Sequence, residues 1–242
     1  MKAPPIFRMF GERTLLLDWP SGIDPVIHTE VLEISDHVQH KYREQVVDIV
    51  PTYYSLAIYL REGMEVAAFV RQLKQDLTTR STSTSGEKYV LTVPVCYDLE
   101  FGWDLEEVAR FHGLSTSEVI AIHSATLYRT FFLGFLPGFP YLGGLDERLH
   151  TPRKGVPRPL ISKGAVGIGG AQTGVYTQAS PGGWQIIGQT PLTFFQTQEE
   201  PYTLINPGDF VKFNPVSKAQ YELIKLEIAS GTFSVDKEVY HD

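Results

Sequence analysis

Chemistry in this 242-residue sequence can come only from a few places, and the densest is Gly134-Phe-Leu-Pro-Gly-Phe-Pro-Tyr-Leu-Gly-Gly144. Pro137 and Gly138 bend the backbone while Phe139 and Tyr141 add rigid aromatic surface. Such a loop can wall a ligand cleft, its exposed N–H groups serving as donors, or it can plug the end of a barrel. A second glycine-rich stretch, Gly164 to Gly174, is followed by Tyr176 and by Ser180-Pro-Gly-Gly-Trp184. Its glycines admit positive φ and the close approach of a ligand or another backbone. Gln172, Thr173, Tyr176, Gly183 and Trp184 could there hydrogen-bond or stack a small polar molecule.

Charge adds a third clue. No Asp or Glu occurs from Arg148 to Gln198, whereas Arg148, Arg153, Lys154, Arg158 and Lys163 do. This window carries +5 in a chain of net charge -7, leaving -12 on the remainder. Arg153, Arg158 and Lys163 are therefore candidate contacts for a small anion, since guanidinium groups clamp carboxylates with two bonds. The alternative is a loop-rich region whose few charges happen to be basic. His123 ends a capped helix, where imidazolium is favoured, and is a candidate general base; otherwise it bonds a backbone carbonyl.

Several machineries are missing. No Gly-Lys-Ser/Thr closes a phosphate-binding loop, and no βαβ unit with a ribose-binding acid accompanies the glycines. There is no G-x-S-x-G elbow and no Cys–His pair. Cys96 is the single cysteine, and His28, His37 and His40 fall on or near a solvated helix face, so no metal site is expected.

The elements that must carry these residues divide at Thr78–Gly86, where seven of nine residues are Ser or Thr. Residues 1–85 read as a small α/β domain. Thr14–Trp19 is a strand; Asp24 caps a helix striped by Ile27, Val31, Ile34 and Val38; Val46–Val50 and Ser55–Leu60 form a hairpin. Val66, Val70, Leu73 and Leu77 stripe a second helix. Lys88–Val95 either completes a ferredoxin-like split βαβ order or opens the next domain.

Residues 86–242 begin with two short helices. Asp104 caps the first, and Ser115 with Glu118 forms a capping box for the second. Their acidity argues against a DNA-binding helix-turn-helix. Short apolar runs then follow at Tyr128–Phe132, Ala165–Ile168, Trp184–Ile187, Leu192–Phe195 and Phe210–Phe213, separated by turns. Thirteen of the 21 glycines lie between Gly134 and Gly188, which indicates a closed or nearly closed β-barrel. With 43% apolar and 20% charged residues the chain is globular in composition, its acidity disfavours nucleic acid, and MKAPPIFRMF lacks an apolar leader core. The expectation is a cytoplasmic protein with no membrane contact.

Pro94-Val-Cys-Tyr97, Asp104-Leu-Glu-Glu-Val-Ala109, His123, the Gly134–Gly144 loop, Thr151-Pro-Arg153, Val166-Gly-Ile168, Gln172-Thr-Gly174 and Ser180-Pro-Gly-Gly-Trp-Gln-Ile-Ile-Gly188 together resemble the KipI/PxpB family. That family comprises the B subunits of bacterial ATP-dependent 5-oxoprolinase, also known as allophanate hydrolase subunit 1 and as KipI, an inhibitor of a sporulation histidine kinase. Ile161-Ser162 departs from its usual Val-Pro, and Thr177 stands where a proline commonly follows the tyrosine. The resemblance implies a small α/β domain followed by a cyclophilin-like barrel akin to a carboxyltransferase subdomain. It further implies opening of 5-oxo-L-proline to L-glutamate together with the A and C subunits of 5-oxoprolinase, the latter carboxyltransferase-like. ATP would be used by the complex, no cofactor being bound by this chain, which would not act alone. Gly138, Phe139, Tyr141, Gln172, Tyr176 and Trp184 would then shape the pocket or the seam with the C subunit. Alternatives are a histidine kinase as partner, anchored at Phe135 and Phe139, or a role in processing urea or allophanate.

Overall fold

In the computed structural model, which describes residues 4–20, 22–79 and 87–241, the chain forms two units, Met1–Gly86 and Glu87–Asp242. The Ser/Thr-rich stretch expected as a linker falls mostly on residues 80–86, outside the described residues; Thr78 and Thr79 still belong to a helix.

In the first unit, β1 (Ile6–Met9), β2 (Thr14–Asp18), α1 (Pro25–Lys41), β3 (Val46–Pro51), β4 (Ser55–Leu60) and α2 (Val66–Thr79) follow one another. Asp24 accepts a 2.7 Å hydrogen bond from Val26 N and so starts α1, with Pro25 in the first turn, where its missing N–H does no harm. Leu15 and Leu17 of β2 and Leu56, Ile58 and Leu60 of β4 alternate inward. They pack with Val31, Ile34, Val38, Phe69 and Leu73 from the helices. His28 corrects the expectation of a solvated face: it is fully buried, because it lies one turn before Val31 on the inward stripe.

The sheet runs β1-β2-β4-β3 and is antiparallel throughout. With β4 between β2 and β3, the split βαβ is present. The fourth strand, however, is β1, paired from Ile6↔Asp18 to Met9↔Leu15, and not Lys88–Val95. The ferredoxin-like order is therefore not completed.

That later segment is β5 (Tyr89–Cys96), the first strand of the second unit. After it come α3 (Leu105–His112), α4 (Thr116–Ala125), β6 (Leu127–Leu133), β7 (Pro140–Gly143), a single 3-10 turn at Glu147–Leu149, β8 (Arg158–Ile161), β9 (Ala165–Gly169), β10 (Gln172–Val175), β11 (Ser180–Gly182), β12 (Gln185–Gln189), β13 (Phe210–Val216), α5 (Lys218–Ser230) and β14 (Lys237–Val239). Seven strands in the order β12-β9-β10-β7-β6-β13-β5 close on themselves where Gln189 of β12 pairs with Cys96 of β5. β5 and β13 run parallel over seven residue pairs, and β14 lies along the remaining edge of β5. Closure satisfies the backbone without a long free edge.

Two expectations fail for identifiable reasons. Leu192–Phe195 is not a strand, and only Phe195 bridges to Thr203. Leu192 and Phe194 nonetheless bury their side chains, which is what gave the run its strand-like alternation. Asp104 occupies the position before α3 but its side chain makes no capping bond, being drawn elsewhere. The Ser115–Glu118 capping box is present at α4.

Candidate functional site

The Gly134–Gly144 loop, the segment from Thr151 to Pro157 and the approach to β12 meet around a cavity of about 210 Å³. Its walls are Phe135, Phe139, Tyr141, Arg153, Tyr176 and Trp184, with Pro157 and the Pro181, Gly182 and Gly183 backbone completing the rim. Phe139 is the hub. Its ring meets Phe135 at 5.7 Å, Tyr176 at 5.4 Å and Trp184 at 5.5 Å, each nearly edge to face, which is a favourable quadrupole arrangement. Trp184 is seated by glycine: a Cβ on Gly169 would sit 2.5 Å from the indole Nε1.

Phe135 takes φ 66°, a left-handed conformation that is costly for an aromatic residue, and is 63% exposed. The loop thus holds one ring out at the rim while Phe139 is packed beneath it.

Burial raises the Tyr141 and Tyr176 phenols, with Arg153 opposing in both cases. They stay protonated near neutrality as O–H groups. The Arg153 guanidinium lies 5.7 Å from the Trp184 ring, a cation–π distance. The cavity therefore combines aromatic surface, phenolic hydroxyls and one arginine, a set suited to a small molecule bearing a carboxylate or a polarised carbonyl.

The other expected cations are not at the cavity. Arg158 donates from Nη1 and Nη2 to Asp104 at 2.8 and 2.6 Å. Lys154 bonds Asp104 and Glu107 at 2.9 Å each, and Arg148 pairs with Asp146. The acid-free window thus borrows its acids from outside, and its surplus charge is largely cancelled. Burial works to raise the Asp104 carboxyl, but hydrogen bonds from Arg158, Lys154 and Ile186 N–H together hold it below its ordinary value. Lys163 is exposed, and its carbonyl accepts from Gln189. Of the three proposed anion contacts, only Arg153 lines the cavity.

His123 requires a correction. It is fully buried, stacked on Phe213 at 4.6 Å, and burial pushes its imidazole down to about 3. Thr173 Oγ1 donates to Gly167 O, so it accepts from His123 Nε2–H at 2.9 Å; Nδ1 then accepts from Tyr97 O–H at 2.7 Å. Both nitrogens serve a neutral chain of hydrogen bonds inside the barrel, not an imidazolium at a helix end. The geometry gives it no path to a substrate.

The remaining residues are dispersed. Thr173 belongs to that interior chain. Pro137 gives its carbonyl to Thr177 Oγ1, and Gly138, with φ 70°, packs on Phe194 and Phe195. Gln172 is half-buried at the start of β10, away from the cavity lining. Phe139, Tyr141, Arg153, Tyr176, Gly183 and Trp184 do converge. Sequence reasoning missed Pro157, Pro181 and Gly182 as lining, although the last two lie within the glycine-rich Ser180–Trp184 stretch. It also missed Asp104 as the electrostatic partner, for which no local signal exists.

Residues 5–205 match the carboxyltransferase domain family, subdomain C and D. The sequence is 37% identical over 230 residues to the 5-oxoprolinase B subunit of Bacillus subtilis (strain 168), covering 90% of this chain and 95% of that protein. It is 44% identical over 170 residues to the B subunit of the same enzyme from Escherichia coli O157:H7, covering 70% and 78%. Similarity to urea amidolyase of Saccharomyces cerevisiae is 31% over 144 residues, 56% of this chain but 8% of that protein. Among solved structures, that of TTHA0988 superposes with a TM-score of 0.76 at 33% identity, over 85% of this chain; this chain spans 40% of that one.

Proposed function

The chain belongs to the carboxyltransferase domain family, subdomain C and D, and from that premise we propose that it is the B subunit of an ATP-dependent 5-oxoprolinase. The reaction is hydrolysis of the lactam amide of 5-oxo-L-proline to L-glutamate, driven by ATP in a cytoplasmic complex with the A and C subunits. The observation that carries this reading is 37% identity to the Bacillus subtilis 5-oxoprolinase B subunit over 95% of its length, coupled to a cavity whose arginine suits the substrate carboxylate.

In this reading Arg153 binds the carboxylate, the Tyr141 and Tyr176 hydroxyls face the lactam carbonyl, and Phe139 and Trp184 exclude water. Exposed Phe135 marks the seam with the C subunit. ATP is handled by the partners, and this chain alone is inactive. The barrel's finer kinship, to cyclophilins, belongs to the same proposal. Reconstitution of the three subunits tests it: glutamate should form from 5-oxo-L-proline only with ATP and only with this chain present. Undiminished turnover without it would refute the assignment.

Similarity to urea amidolyase favours a second reading, a component that processes urea or allophanate. Parallel assays with 5-oxo-L-proline, urea and allophanate separate the two. Were the partner a sensor histidine kinase, Phe135 would be the anchor, and a pull-down with autophosphorylation measurement would detect it.

A further inference from the structure

Two walls of the aromatic cavity are fixed in different ways. Tyr176 is tied to the start of β9: its N–H donates to Ala165 O at 2.8 Å, and its carbonyl accepts from Gly164 N–H at 2.7 Å. The wall from Phe135 to Phe139 is instead built of two consecutive turns. Leu136 N–H donates to Gly134 O at 2.8 Å, so Phe135, at φ 66°, is the central residue of a γ-turn of the rare, strained hand. Phe139 N–H then donates to Leu136 O at 3.0 Å, with Pro137 and Gly138 (φ 70°) between them, as in a type II β-turn. Backbone strain of this kind persists only where the surroundings over-determine it.

Thr177 supplies a link between the two walls. It is 2% exposed, follows Tyr176 directly, and donates from Oγ1 to Pro137 O at 2.8 Å. That carbonyl belongs to the central peptide of the β-turn, whose direction governs how Phe139 enters the cavity and how the γ-turn before it is held. Pro137 is itself exposed, so without the hydroxyl its carbonyl can turn to water, and the loop relaxes while the barrel stays folded. The cavity, about 210 Å³, is below the roughly 300–1,000 Å³ usual for ligand pockets, and leaves little slack around a single ring.

We propose that Thr177 is a positioning residue that sets substrate size: through Pro137 it fixes the gap between the Phe135–Phe139 loop and Tyr176, and this gap favours a five-membered lactam ring over a six-membered one. The inference rests on the proposed reaction and deepens it. Thr177 lies outside the cavity lining and acts only through the loop.

The test compares kcat/KM of the reconstituted complex for 5-oxo-L-proline and for its ring homologue, 6-oxopiperidine-2-carboxylate. One methylene in a fitted pocket is worth about 10- to 200-fold, so the wild type should prefer the smaller ring at least about tenfold. Thr177→Val keeps the shape and removes the hydroxyl, and should bring the preference to about twofold or below. Thr177→Ser keeps the hydroxyl and should restore it. The ratio cancels the amount of folded protein, which a merely structural loss would change. In the full chain alone, the indole N–H signals of the three tryptophans give a second readout. The Trp184 ring lies 5.5 Å from Phe139, so its signal should move in Thr177→Val and return in Thr177→Ser, while that of Trp19, in the first unit, stays in place. A preference unchanged by Thr177→Val, a wild type indifferent to ring size, or a Trp184 signal that does not move would each overturn the inference. Absence of 5-oxo-L-proline turnover by the complete wild-type complex would instead refute the proposed reaction, and the Trp184 signal would then decide the positioning role by itself.

Discussion

Arg158 and Asp104, 54 positions apart, form a two-pronged ion pair at 2.8 and 2.6 Å, and the same carboxylate accepts from Ile186 N–H at 2.7 Å. One buried acid thereby ties α3 to β8 and β12 and neutralises Arg158, while Arg153 lines the cavity.

Replacing Asp104 by Ala strands the Arg158 guanidinium and the Ile186 N–H, and leaves Lys154 only Glu107. Destabilisation of about 3 kcal/mol is expected, the range for breaking a buried pair by deleting one partner, lowered for the partial exposure of Arg158 and Lys154. Thermal or denaturant unfolding measures it.

The same carboxylate sets an acid limit. Its folded value lies below the ordinary one, so its contribution is complete above about pH 4, near the unfolded value, and fades as pH falls toward the folded value. In Asp104→Asn, unfolding free energy should fall less steeply below pH 4 than in the wild type. Parallel curves would contradict this.

His123 predicts a different window. Folded, it titrates near 3, while unfolded it titrates near 6.5, so protons favour the unfolded chain. Stability should decline as pH drops from about 6.5 toward 3, by up to about 1.4 kcal/mol per unit. In His123→Gln this slope should flatten. The pH profile of kcat in the reconstituted complex should keep its shape, whereas a general base would lose a limb.

Arg153→Ala should raise KM for 5-oxo-L-proline about 10- to 100-fold, the worth of a charge-assisted bond, with the melting temperature nearly unchanged because the residue is exposed. Arg153→Lys should recover only part of the loss.

Gly169→Ala places a methyl against the Trp184 indole. The ring must shift into the cavity, costing about 1–3 kcal/mol as overpacking does. Altered tryptophan fluorescence and weakened substrate binding should appear together.

Where local chemistry decides conformation, the residues were sufficient. Asp24, Ser115 and the Val31–Val38 stripe announce α1 and α4, and Tyr128–Phe132 and Phe210–Phe213 announce barrel strands. β7, β10 and β11 were invisible because each is only three or four residues long and contains Gly or Pro, too short for an alternating pattern to show. α5 carries a legible Ser217–Gln220 capping box and a Gly231 stop, yet lies beyond the last run read from sequence. In the cavity, aromatics and Arg153 could be named from type and proximity. The neutralisation of Arg158 and Lys154 could not, since Asp104 reaches them only through the closed barrel.

Barrel closure also sets a timetable for synthesis. The first barrel strand, Tyr89–Cys96, pairs along seven of its eight residues with Phe210–Val216, roughly 120 residues later. At about 5–20 residues per second the ribosome needs on the order of 10 s to supply that mate. Through that interval an apolar strand containing Leu91, Val93 and Val95 waits uncovered in the nascent chain, and a holdase chaperone has its opportunity there.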